Sequence, residues 1–176
     1  ALVVDQVVEI ERQQLVLDDR PDVRRLDRFA RAVQRLELHV EVALRGRGLG
    51  ATASTLNEKD QTHQRRRYQL LGQTADGMRV WDIRRAIAAV RSTELFGAAP
   101  LELHAAGQQA INALYASLYG APVAALDLTA PPASHRTGPD YLNVLRFLDI
   151  PQATALAADR APVRLRVTNI EEWSWT

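Results

Sequence analysis

The chain has no cysteine, one methionine (Met78) and one lysine (Lys59) in 176 residues. Without thiols there is neither a disulfide framework nor a thiolate metal site, so an apolar core must hold the fold. No apolar run approaches the roughly 18–20 residues needed to span a bilayer, and the opening residues ALVVD show no signal-peptide pattern. An excess of one charge is missing too, with 22 basic against 21 acidic residues and a net charge of +1. That balance argues against a dedicated nucleic-acid binder, whose domain is strongly basic. The near-exclusive use of arginine among the basic residues reads as codon composition. Internal repeats, low-complexity tracts and Gly/Ser linkers are also lacking.

What is present is the composition of a globular protein, 47% apolar and 24% charged. A chain of this length buries roughly 70% of its unfolded surface, enough for one domain with a real core. The reading is a single domain over residues 1–176. Starting without Met, the sequence is read as a processed product, a domain excised from something longer or a sequence with its start missing. With its Trp-rich stop it is expected to be a reduced or excised domain, part of a larger protein or complex.

Hydrophobic periodicity gives alternating strands and helices. Strands are expected at residues 2–10, 15–17, 38–44, 101–105, 123–129 and 163–167. Val23, Leu26, Phe29, Val33 and Leu36 recur at helical steps behind Pro21, a residue suited to a first turn. Asn57, with Asp60 three positions on, predicts a capped helix running to about Leu71 and stopped by Gly72. Further helices are expected at 77–91, burying Val80, Trp81, Ile83, Ile87 and Val90, and at 108–119, with Ile111, Leu114, Tyr115 and Leu118 inward. Helical turns at 141–148 and a Pro-started helix at 151–158 complete the pattern. Alternation of this kind predicts an α/β fold with a mostly parallel sheet flanked by helices. Sites in such sheets form at the carboxyl ends of the strands, here the loops 45–56, 105–109, 130–139 and 168–176.

Three runs carry a family resemblance: VALRGRGLGAT (42–52), LLGQTADGMRVWDIRRAIAAVR (70–91) and GPDYLNVLRFLDIPQATALAADRAPVRLRV (138–167). Together they make residues 38–170 resemble the acetyl xylan esterase and dienelactone hydrolase-like branch of the α/β-hydrolases, truncated at one or both ends. The resemblance implies a strand–turn–helix near 101–119 that presents a nucleophile in G-x-S-x-G. Aligned on the anchors, this chain reads Ala105-Ala106-Gly107-Gln108-Gln109, and the nucleophile position is Gly107. The position implied for the catalytic acid falls near Glu171 and Glu172, outside the family's Asp-Pro context, and the chain stops at Thr176 before the implied histidine. The expectation is a hydrolase platform without its chemistry, serving a binding or structural role. The alternatives are an active carboxyl-ester hydrolase of carbohydrate acetyl esterase type, with an atypical triad or one completed by another chain, and a small-molecule binder using the vestigial pocket.

The remaining candidates are weaker. Ser134 and His135 are adjacent on a loop and point apart, so a loop histidine bonded to backbone or carboxylate is favoured over a dyad. His104 shares a strand face with Glu102 as a conceivable base and orienter, but packing in or beside the sheet is favoured. His39 and His63 have no assigned role. No metal-ligand spacing or nucleotide-binding motif occurs, so neither metal nor cofactor is expected. Arg45 and Arg47 are read as anchors of a tight glycine-rich loop through carboxylate pairs, a reading favoured over binding an anion at the sheet's mouth, and Arg65-Arg66-Arg67 as a solvated helix face. Trp173 and Trp175 are expected to pack on the sheet edge or meet a partner protein or missing segment.

Overall fold

A computed structural model describes residues 4–6, 42–44, 47–49, 53, 55–94 and 96–173. The chain divides into two compact units, residues 1–45 and 46–176. In the first, β1 (Val4–Gln6) and β2 (Val42–Leu44) pair antiparallel, with Val4 opposite Leu44. Both lie inside runs predicted to be extended. The strand expected at 15–17, the helix expected at 21–36, and His39 and Arg45 lie outside the described residues.

The second unit starts with α1 (Glu58–Leu70). Asn57 caps it, its side chain accepting the Asp60 N–H at 3.0 Å, and the chain turns away at Gly72, whose φ is +70°. The helix buries no residue, as its polar sequence requires. Next comes α2 (Ala75–Arg91), starting two residues before its predicted start because Thr74 is the cap and accepts the Gly77 N–H at 3.0 Å.

A βαβαβ arrangement follows: β3 (Glu102–Ala106), α3 (Gln108–Tyr119), β4 (Ala125–Thr129), α4 (Ile150–Ala158) and β5 (Val163–Arg166). Within the predicted 141–148 stretch only a short helical turn forms, at Val144–Arg146. The three strands are parallel and lie in the order β3-β4-β5, so the fold is of the α/β class with a parallel sheet.

Register decides which side chains share a face. Leu103, Leu126 and Val163 form one row, and Ala105, Leu128 and Leu165 the next, both turned to α3 and α4. There they meet Ile111, Leu114, Tyr115, Ile150, Ala153 and Ala157, all buried. At about 25 cal/mol per Å² of apolar surface removed from water, this interior is the main stabilising element of the unit. The opposite rows, His104–Asp127–Arg164 and Ala106–Thr129–Arg166, are mostly polar, and His104, Arg164 and Arg166 on them are exposed, as is Glu102 on the same face of β3. Parallel sheets covered on both faces read as continuous apolar runs. The alternating burial of β3 and β5 is that of a sheet whose second face meets water.

One packing expectation is corrected. Trp81 is 53% exposed rather than buried. The inward stripe of α2 runs Asp76, Val80, Ile83, Ile87, Val90 at helical steps, and Trp81 falls on the other side of the helix. No helix among the described residues is long and apolar enough to cross a membrane.

Candidate functional site

The carboxyl end of β3 turns into α3 at a single residue, Gly107, with φ 57° and ψ −134°. Residues with a Cβ avoid this backbone region, so glycine is the residue that adopts it without strain. The turn is pinned by the Gly107 N–H, which donates to the Thr129 carbonyl at 2.9 Å, and α3 has no side-chain cap. A Cβ built at Gly107 would meet no atom within 4 Å. Beside it, at the end of β4, Ala130 also has a positive φ of 46°, and its N–H bonds the Arg166 carbonyl at 2.8 Å. The strand ends are thus tied backbone to backbone around a glycine that offers no attacking atom.

His104 and Glu102 do share a face of β3, with Nε2 and Oε2 3.5 Å apart. That face is the uncovered one, and the His104 side chain is 66% exposed rather than packed in the sheet. Glu102 also lies 3.9 Å from Arg164, so its charge is divided between two partners. On the same face Arg166 grips Asp127 with two hydrogen bonds, at 2.9 and 2.7 Å. This pairing holds the Asp127 carboxyl below the usual carboxylate range.

Ser134 and His135 bond different partners. The Ser134 hydroxyl donates to Asp149 Oδ2 at 2.6 Å, and the His135 backbone N–H donates to Asp149 Oδ1 at 2.7 Å. The His135 ring turns inward, with Nδ1 3.0 Å from the Pro139 carbonyl and Nε2 2.9 Å from the Tyr115 hydroxyl. A carbonyl only accepts, so Nδ1 carries the proton and Nε2 accepts from Tyr115. Tyr141 packs against both rings, with centroids 4.7 Å from Tyr115 and 5.3 Å from His135. Burial pushes both phenols upward. The ring nitrogens of His135 are therefore committed to holding the 131–141 loop on α3.

Two residues that sequence reasoning passed over organise this region. Asp149 caps α4, accepts the Ile150 N–H at 2.8 Å, and forms a capping box in which Gln152 accepts the Asp149 N–H at 3.0 Å. Burial raises its carboxyl, but the Ser134, His135 and Ile150 donors outweigh that and leave it lowered. The D-I-P-Q spacing was the available signal. Asn112, fully buried on α3, donates to Asp76 at 3.2 Å and to Gln109 at 3.0 Å, and accepts from the Tyr141 hydroxyl at 2.5 Å. Asp76 also receives Arg79 at 2.8 Å and the Asp140 N–H at 3.0 Å. Nothing in the linear pattern marks this hub.

Arg47 anchors its loop on α2, its Nε and Nη2 reaching the two oxygens of Asp82 at 2.8 and 2.5 Å. The guanidinium holds the Asp82 carboxyl low, against the opposing effect of burial. Glu171 and Glu172 are exposed on a short turn, Glu171–Trp173, bracketed by Asn169, while Trp173 packs against the core. Trp175 lies outside the described residues. No group of three or more metal-ligating side chains converges among the described residues.

The lowered carboxyls fix the sign of an acid response. Asp82, Asp127 and Asp149 titrate near 3.9 in an unfolded chain and lower when folded, so in that window the unfolded state binds more protons. Their stabilisation is present above the unfolded value and is lost as pH falls through the folded ones. Thermal melts should show the midpoint falling progressively below about pH 5. Asp127→Asn should flatten that fall, and an unchanged acid profile in this variant would contradict the assignment.

Comparison with protein-family models, curated proteins and solved structures returns no match.

Proposed function

We propose that the chain is a catalytically inactive α/β-hydrolase-like domain with a binding or structural role in a larger protein or complex. The observation that carries this reading is Gly107, a residue without a side chain in the strand-to-helix turn, the place where the α/β-hydrolases that the sequence resembles carry their nucleophile. Acyl transfer requires an attacking atom, a base within hydrogen-bond reach of it, and donors aimed at the developing oxyanion. At Gly107 the first requirement fails outright. Of the histidines considered, His135 is tied to Tyr115 and Pro139, and His104 sits on the open face with Glu102. Ser134 has a carboxylate for its partner, which orients the hydroxyl but supplies no imidazole relay.

The test is chemical. The purified chain should release no p-nitrophenol from p-nitrophenyl acetate above the buffer rate, and a fluorophosphonate probe should label no serine. Gly107→Ser should fold, because space for its side chain is open, with a loss of about 1–3 kcal/mol for the positive φ. It should remain inactive for want of a base. Robust turnover abolished by one change within residues 102–109, or a mapped labelled serine, would establish an active ester hydrolase instead.

A further inference from the structure

A cleft of about 640 Å³ opens between Arg47, the turn before α2, the first turns of α2 and the loop at Tyr141–Leu142. Gly107 does not line it. Its size is within the range of small-molecule sites, roughly 300–1,000 Å³. Trp81, Met78 and Leu142 give it apolar walls, and Gly72 and Gly77 leave the backbone open to close approach.

Among the described residues that line it, the charged side chain is Arg47. Asp82 takes Nε and Nη2 of Arg47, which fixes the plane of the guanidinium. The third nitrogen, Nη1, has the Met78 thioether at 3.4 Å, a weak acceptor for a charged donor. The guanidinium also lies against the indole that walls the cleft, its Cζ 6.0 Å from the Trp81 ring centre. Among the described residues no carboxylate lines the cleft. The nearby acids are engaged elsewhere: Asp82 with Arg47, Asp76 with Arg79 and Asn112, and Asp140 with Gln69.

A preoriented guanidinium edge beside an exposed indole recognises an anionic group carried on a flat apolar body. We propose that this cleft binds small organic carboxylates with an aromatic body, the carboxylate meeting Arg47 Nη1 and the ring lying along Trp81. The proposal does not depend on the reading of Gly107, since an active or an inactive elbow leaves the cleft unchanged.

Phenylacetate is the probe, with phenylacetamide as its uncharged counterpart, each titrated into the full chain by calorimetry. Phenylacetate should bind saturably, and the amide at least about tenfold more weakly, because the charge-assisted hydrogen bond is lost. Trp81→Ala should abolish binding in a chain that still unfolds cooperatively, since the side chain is half-exposed and outside the core. Leu142→Glu, at another exposed wall position, should weaken phenylacetate about tenfold by placing a like charge in the cleft. Absence of saturable binding, equal affinity for the amide, or binding undiminished in Trp81→Ala would each overturn the proposal.

Discussion

Asp149→Ala is expected to lower the stability of the second unit by about 2–4 kcal/mol, read as a shift in urea midpoint at neutral pH. The carboxylate does three things at once. It caps α4 through the Ile150 N–H and the capping box with Gln152, and it receives the Ser134 hydroxyl and the His135 backbone N–H from a loop 14–15 residues earlier. Removing a cap alone costs about 1 kcal/mol, and each charge-assisted bond adds a comparable amount or more. The loss should also propagate, because the loop held at Ser134 and His135 carries the imidazole bonded to Tyr115. Trypsin should therefore cut the variant after Arg136 faster than the parent chain. Asp149→Asn separates the contributions, as an amide still caps a helix but cannot accept from both sides. Its stability should lie between alanine and the parent and should vary less with acid. A wild-type midpoint for Asp149→Ala would mean that the loop is held by its apolar contacts alone.

The parts of the fold legible in the sequence are those governed by local rules. Asn57 with Asp60 and the Pro151 first turn place the starts of α1 and α4 within a residue or so, because capping is decided within one helical turn. The core face of α3 follows from its period, and Ile111, Leu114 and Tyr115 are inward as predicted. Trp81 departs from the expectation because its phase on α2 sets it off the inward stripe of Val80, Ile83 and Ile87. The stripe begins at Asp76, and a carboxylate at the head of an inward face looks wrong until its partners Arg79, Asn112 and the Asp140 N–H are known.

The same contrast separates the two kinds of site residue. Gly107 falls between a strand and a helix that are both legible in the pattern, and its φ of 57° is one that glycine adopts without strain. The polar face of the sheet was half legible, for Glu102 with His104 and Arg164 with Arg166 alternate along their strands. The ion pairs across it depend on register, which places Asp127 beside Arg164 and one step from Arg166. The Ser134–Asp149 and Tyr115–His135 contacts span 15 and 20 residues and depend on how the 130–149 loop folds back onto α3. No period in the sequence carries that path.

Asn112 gives the second large effect, and it distinguishes a designed network from incidental burial. Its side chain is inaccessible to water and satisfies three neighbours, donating to Asp76 and Gln109 while accepting from Tyr141. Asn112→Ala removes all three bonds and leaves the Tyr141 hydroxyl and part of the Asp76 carboxylate short of partners. Leaving buried polar groups unsatisfied costs roughly 1–3 kcal/mol each, so a total loss of about 2–4 kcal/mol is expected. Asn112→Asp should be worse although it is nearly isosteric. It keeps the acceptor for Tyr141 but exchanges the amide donor for a second carboxylate facing Asp76, and like charges in a low-dielectric site repel strongly. The aspartate variant should regain stability on mild acidification, as one of the paired carboxyls takes up a proton, whereas the alanine variant should not. Equal destabilisation of the two at neutral pH, or no acid recovery in Asn112→Asp, would show that Asp76 does not depend on the Asn112 amide and that Arg79 and the Asp140 N–H suffice to hold it.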